Sequence, residues 1–284
     1  MPWLTRPLDY IPKRVVSLNP SITEFLFVIG AGDRLVGRDV FSYRPRDALK
    51  APHVASFTHA DLEALRRLRP DLIVAYYPVQ RDILEPLADI APVAVVETPT
   101  SVDHVVANFK FVARILDLDE QGEYAAGVYR DLFEGAPVAE DALAIFNLGG
   151  YDFACAESFT ASALDAVGIK YSRALHCVYH FAGDIASAAR ILESVDPDLA
   201  IYEGKSKEFR EGEIAWIKAS RCRACREGRI LATPNDTLAH YGPSLPLDLA
   251  KVREALARGD KFVGGTSSIV RPSLSSGWYR SYLF

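Results

Sequence analysis

Apolar positions along the chain come in short blocks that alternate between two periods. Arg14-Val15-Val16-Ser17-Leu18 is a β-branched run that meets a turn and helix-start signal at Asn19-Pro20-Ser21. Ser21 and Glu24 have the spacing of a capping box, and an apolar stretch (Phe25, Leu26, Val28, Ile29) follows before Gly30 and Gly32 stop the helix. Leu35-Val36-Gly37-Arg38 predicts a strand, 59–68 an amphipathic helix closed by Arg69-Pro70, and 71–75 a buried strand opening into Tyr76-Tyr77-Pro78. A helix over 82–90 and a strand over 93–96 complete the first half. Val105, Val106, Phe109, Val112, Ala113 and Leu116 then fall at helical spacing, which continues over 120–133.

Past this helical stretch the alternation starts again. Strands are predicted at 143–148, 198–202 and 230–233, and helices at 160–167, 185–195 and 247–258. Strand–helix alternation of this kind predicts parallel sheets with crossover helices. The halves echo each other: Arg69-Pro70-Asp71-Leu72-Ile73-Val74 and Asp196-Pro197-Asp198-Leu199-Ala200-Ile201 each follow an amphipathic helix and open a buried strand. Each half therefore reads as one α/β lobe, with a helical spine between them.

Composition sharpens this picture. The 284 residues are 49% hydrophobic and 24% charged, enough apolar material for two cores. A formal charge of −5 provides no basic stripe, so nucleic acid is not an expected partner. No apolar run approaches the length that crosses a bilayer. Residues 1–12 hold three prolines and no apolar stretch of the secretory kind, which places the chain in the cytoplasm as given and outside it if a leader was removed. The four cysteines are too few for a disulfide scaffold. Cys222-Arg223-Ala224-Cys225 is open to reading as a redox pair, half a metal site or a local disulfide. It lacks a second ligand pair at zinc-like spacing, and its plain reading is a pair of surface thiols.

The ordered set of Arg14 to Glu24, Val36-Gly37-Arg38, Leu62-Glu63-Ala64-Leu65 leading to Arg69–Val74, and Glu157-Ser158-Phe159 to Gly168 resembles the helical-backbone (class III) substrate-binding proteins of ABC importers. That family serves vitamin B12, iron–siderophores and haem, and the resemblance runs from about Arg14 to about Leu256. It implies two Rossmann-like α/β lobes with parallel sheets, joined by a single long helix, and a ligand cleft between them. On this reading the N-terminal lobe is 1–118, the connecting helix 119–135, and the C-terminal lobe 136–284 with an aromatic tail. It further implies reversible binding of a cobalamin, haem or ferric chelate, as a transporter component or a related carrier or sensor. No cofactor is required, although the ligand itself can contain a metal. In members that dock to a transporter, a surface acid on each lobe meets arginines of the membrane subunit. Asp82 falls near the first such position, whereas the second, near Leu238-Ala239-His240, has no carboxylate.

Open α/β sheets bind ligands outside the carboxyl ends of their strands. Those ends carry Asn19 and Ser21, then Phe41, Ser42 and Tyr43, then Tyr76 and Tyr77 in the first half. In the second half they carry Tyr151 and Phe153, Tyr179, His180 and Phe181, Glu203 and Lys205, and His240 and Tyr241. Aromatic side chains with polar tips offer rigid area to a flat macrocycle or chelate. His180 and His240 are candidate ligands for a haem or cobalamin metal. Arg44, Arg46 and Arg81 are candidates for anionic substituents.

Enzyme signatures are absent from the sequence: there is no GxSxG elbow, HExxH or P-loop, and Gly30-Ala31-Gly32 follows a helix instead of a strand. The enzyme alternative is a tetrapyrrole metal chelatase, related in outline, with His180 and Glu203 as proton acceptors. A nitrogenase-like cofactor scaffold would need cysteines in both halves, and all four lie in the second.

Overall fold

The structure is a computed structural model, described here over residues 1–204 and 210–263. Lys205 and the tail from Gly264 lie outside the described residues. The first half supplies β1 (Trp3–Leu4), β2 (Val15–Ser17), α1 (Pro20–Val28), β3 (Leu35–Asp39), β4 (His53–Ala55) and α2 (Leu62–Leu68). It continues with β5 (Leu72–Tyr77), α3 (Leu84–Ala88), β6 (Val93–Glu97), α4 (Val102–Ile115) and α5 (Asp119–Asp131). In the second half come β7 (Ala139–Asn147), β8 (Tyr151–Ala154), α6 (Phe159–Ala166), β9 (Ile169–Tyr171), β10 (Tyr179–Phe181) and α7 (Ile185–Val195). The last elements are β11 (Leu199–Glu203), α8 (Ala215–Ala219), α9 (Arg223–Glu227), β12 (Ile230–Thr233) and α10 (Leu245–Arg258).

These form two separate sheets. The first has the order β1-β6-β5-β2-β3-β4 and the second β10-β8-β7-β11-β12, with β9 also on β7. Both centres are parallel, as the alternation predicts, but each sheet gains antiparallel pairings: β1 on β6, β8 on β7 and β10 on β8. From β2 the chain winds outward through β3 and β4, then returns to place β5 on β2's other side. The crevice of the first lobe therefore lies beyond the ends of β2 and β5.

The helical stretch does not form one spine. The chain reverses at Leu116-Asp117-Leu118, where Asp117 takes a left-handed φ of 57°. Asp103 then meets Arg130 (2.8 Å) and Lys110 meets Glu123 (2.5 Å), so α4 and α5 lie antiparallel. The single helix leading from one lobe to the other is α5, 13 residues or about 20 Å long. Gly122 permits the close hairpin, because a Cβ there would collide with that of Ala113.

One apolar cluster runs from the inner face of the first sheet through α1, α4 and α5 into the second lobe. At its centre Phe25 stacks on Phe109 (4.2 Å between centroids), Phe109 meets Tyr129 edge-on (5.3 Å), and Tyr129 meets Phe133 (5.0 Å). A second cluster fills the other face of the first sheet beneath α2 and α3. No helix among the described residues is long and apolar enough to cross a membrane.

The cysteines depart from the sequence reading. Cys222 and Cys225 are buried and bonded to each other, and Cys155 is bonded to Cys177, so surface thiols are replaced by two internal crosslinks. Among the described residues no group of three or more His, Cys, Asp or Glu side chains is arranged to hold a metal ion.

Candidate functional site: an aromatic and acidic cleft between the lobes

Two helix starts and three strand ends converge between the lobes. Asn19, not Ser21, caps α1: its Oδ1 accepts from Ile22 N (3.1 Å), with Pro20 at the first helical position. Asn19 Nδ2 then donates across the cleft to the Tyr241 hydroxyl (3.4 Å). Tyr241 stands edge-on to Phe159 (5.6 Å), the first residue of α6, and the Tyr129 hydroxyl on α5 donates to the Tyr241 carbonyl (3.1 Å). Tyr179 Oη and Thr160 Oγ1, in the same α6 turn, are 3.5 Å apart.

On the first lobe Tyr76 faces this group, with Phe57 edge-on to it at 6.0 Å. Buried Gln80 fixes both: its Oε1 accepts from Tyr76 N (3.1 Å), and its Nε2 donates to the carbonyls of Leu18 (3.1 Å) and Phe57 (3.3 Å). Phe41 and Phe57 leave more than half their surface exposed, and Tyr179 about half. The cleft rim is thus open aromatic surface, while Tyr76 and the phenol ends of Tyr179 and Tyr241 are enclosed. Burial raises the pKa of all three phenols, so they stay protonated and able to donate.

Three acids lie around the phenols. Asp39, at the end of β3, accepts from Phe41 N (3.0 Å) and from the Ser42 hydroxyl, which also meets Thr23 (2.8 Å). Glu203, fully enclosed at the end of β11, accepts from Asp236 N (3.1 Å) and Leu238 N (2.5 Å), and so holds the loop that carries His240 and Tyr241. Burial raises the pKa of Asp39 and Asp236 and pushes Glu203 up to about 7 against the pull of its backbone donors.

A second set of contacts fastens the lobes beside the cleft. His240 Nε2 donates to Glu24 Oε2 (2.6 Å), both side chains being buried, and Ser244 Oγ donates to the same oxygen (3.2 Å). Arg44 donates to Ser244 Oγ (2.9 Å), Asp248 (2.9 Å) and the Asp236 carbonyl (3.0 Å), and Tyr43 bonds Asp236. Gly242 lies so close that a Cβ would strike both Glu24 and His240.

Of the residues expected from sequence, Asn19, Ser42, Tyr43, Tyr76, Tyr179, Glu203, His240 and Tyr241 come together here, with Phe41 at the rim. Within the chain, His240 bonds Glu24 and Glu203 holds the loop that carries His240. Five others lie elsewhere. Ser21 Oγ is buried inside α1 with no hydrogen-bond partner. Tyr77 turns to Trp3 at the β1 edge (5.5 Å), Tyr151 packs on Trp216 of α8 (5.0 Å), and Phe153 is wholly buried in the core. His180 sits exposed on the edge strand β10, on the opposite face from Tyr179. It makes no pair with the enclosed Glu203, so the proton-acceptor couple of the chelatase alternative does not form. Arg46 and Arg81 are surface groups, Arg81 against Asp82 (3.3 Å). Sequence reasoning missed Glu24, Asp39, Phe57, Phe159, Thr160 and Asp236. A strand-end signal was available for Asp39, and a helix-cap signal for Phe159 and Thr160.

Two lobes joined by a single helical connector, with aromatic side chains between them, define a bilobal α/β fold. Residues 15–131 match the family described as periplasmic binding protein. The match lies within the first lobe and α5, and the fold of the described chain is shared with solved solute-binding proteins. A vitamin B12-binding protein of Yersinia pestis (strain Pestoides F) is 35% identical over 120 residues, a stretch that spans 42% of this chain and 42% of that relative. A periplasmic haem-binding protein from Pseudomonas aeruginosa superposes with a TM-score of 0.70 at 22% identity, covering 88% of this chain and 95% of the other. The siderophore-binding protein BauB, bound to acinetobactin and ferric iron, gives 0.67 at 16% identity over 91% and 98%.

Proposed function

We propose that this chain reversibly binds one bulky ring or chelate ligand, of the cobalamin, haem or iron–siderophore kind, in the interlobe cleft and does no chemistry on it. The observation that carries this reading is the convergence of Phe41, Phe57 and Tyr76 from one lobe with Phe159, Tyr179 and Tyr241 from the other. Aromatic side chains gathered from both lobes, with phenols that burial keeps protonated, suit a large flat ligand with polar substituents. Any metal arrives with the ligand, and the protein needs no cofactor of its own. The partner is the membrane subunit of an importer, with exposed Asp82 on the first lobe, or else the chain acts as a carrier or sensor on the same scaffold. Two disulfides fit work in an oxidising compartment.

Absorbance titrations with aquocobalamin, haemin and a ferric siderophore, checked by native mass spectrometry, test this. One of the three binds at one ligand per chain, and Tyr241→Ala weakens it by about tenfold or more, as loss of a central aromatic anchor does. Stoichiometric binding of none of them contradicts the reading.

A further inference from the structure

The Cys155–Cys177 crosslink stands where two cleft-bearing elements begin. Cys155 follows β8 directly and leads through Ser158, whose side chain caps α6, into Phe159 and Thr160. Cys177 lies two residues before Tyr179, the first residue of β10. Residues 155–157 also hold the segment leading into β10 by their backbone. Cys155 N donates to the Val178 carbonyl (3.0 Å), Ala156 N to that of Leu175 (2.9 Å) and Glu157 N to that of Cys177 (3.0 Å). Burial adds little to these bonds. β10 is a three-residue edge strand on β8, exposed throughout, with about half of Tyr179 and most of Phe181 open to solvent. Tyr179 itself touches only lightly, its hydroxyl 3.5 Å from Thr160 Oγ1 and its ring edge-on to Phe146 at 6.3 Å. The crosslink joins cysteines 22 residues apart and removes the open conformations of everything between them. Cys222–Cys225, by contrast, spans 3 residues at the start of α9, beside Pro197 at the end of β11 opposite Glu203.

Resting on the ligand-binding reading above, we propose that Cys155–Cys177 is a redox-sensitive clasp on the second-lobe wall of the cleft. Closed, it keeps Tyr179 in the wall; opened by a dithiol reductant, it frees β10 and the ligand leaves while both lobes stay folded. Cys177 is partly exposed between exposed His176 and Val178, whereas Cys155 is buried, so exchange starts at Cys177. A thiolate of the reductant attacks Cys177 Sγ, the S–S bond breaks, and Cys155 leaves as a thiolate that takes up a proton. The reductant's second thiol then displaces Cys177, which is protonated in turn. The dithiol is oxidised to a disulfide and the protein gains two thiols. Both cysteines are positioning residues that act through Tyr179.

The test uses the whole chain, with aquocobalamin, haemin and a ferric siderophore as probes. Thiols react with these probes, so the open state is supplied by Cys155→Ala with Cys177→Ser. Wild-type chain that has been reduced, capped with iodoacetamide and freed of reductant serves if that variant does not fold. On opening, affinity for the probe that binds is expected to fall about tenfold or more, as loss of an aromatic anchor does. Amide exchange quickens across 175–182 and stays unchanged in β11 and β12. In a Tyr179→Ala background, opening the clasp weakens binding by less than about twofold further, because both changes remove one contact. Unchanged affinity, or unchanged exchange across 175–182, overturns the inference and leaves the ligand-binding reading standing. Exchange that quickens equally in β11 and β12 shows general unfolding and overturns it as well. A full tenfold loss in Tyr179→Ala overturns the role given to Tyr179. If no probe binds the crosslinked chain, the ligand-binding reading fails and the inference fails with it.

Discussion

Glu24 stands three residues after Ser21, where a capping box would use it, yet its carboxylate turns away from its own backbone and receives His240 and Ser244 from the other lobe. The local motif is real as spacing, but Asn19 is better placed to cap because Pro20 fills the first helical position. A partner 216 residues away leaves no trace in sequence. Gly242 is part of the same contact. Gly242→Ala forces Glu24 and His240 apart and is expected to destabilise the chain by about 1–3 kcal/mol, seen as a lower urea midpoint; an unchanged midpoint would mean that the contact has slack. Glu203 gives a pH dependence of definite sign. Its pKa lies near 7 in the fold against an ordinary 4.5, so the folded chain holds a proton that the unfolded chain releases. Its contribution is most favourable below about pH 4.5 and declines as pH rises through 7. Thermal melts of Glu203→Gln between pH 5 and 8 should show a shallower fall in stability than the wild-type chain, and parallel curves would contradict the assignment.

Among the elements, the central strands and most helices were legible because burial imposes a clean period: β5, β6, β11 and β12 are short apolar runs, and α7 spans the residues its pattern predicts. Three features escaped. The break between α4 and α5 is hidden because both helices bury the same kind of face, so the apolar period continues across Asp117 while the chain reverses. The strands β8, β9 and β10 are three or four residues long, and β10 is exposed throughout, so no burial pattern marks them. The Cys155–Cys177 crosslink depends on those strands and could not be seen without them. Three aromatic candidates, Tyr77, Tyr151 and Phe153, lie elsewhere for a related reason: a strand end presents successive side chains to opposite faces, so Tyr76 reaches the cleft while Tyr77 does not. At this scale the decisive contact is the Phe25–Phe109–Tyr129 stack that ties α1 to α4 and α5. Phe109→Ala is expected to cost about 3–5 kcal/mol in denaturant unfolding, as for other large buried aromatics. A loss below about 1 kcal/mol would show that the connector does not depend on this packing.

At the scale of the molecule, one continuous apolar cluster passes through the helical hairpin, and direct contacts from Asn19, Glu24, Tyr43 and Arg44 hold the second lobe beside the first. The cleft is therefore set by packing on both sides of its floor, and its open rim is left to Phe41, Phe57 and Tyr179. On the proposed function, the ligand sits in the space between the sheets. The groove behind the first lobe, about 530 Å³ and lined by Arg14, Phe27, Asp33, Lys50 and Leu68, lies at the opposite ends of the strands. A crystal structure of the chain with whichever titrated ligand binds most tightly decides between them. The account predicts ligand density between Phe57 and Tyr76 on one side and Phe159, Tyr179 and Tyr241 on the other; density in the rear groove, or on an outer face with the cleft empty, would contradict it.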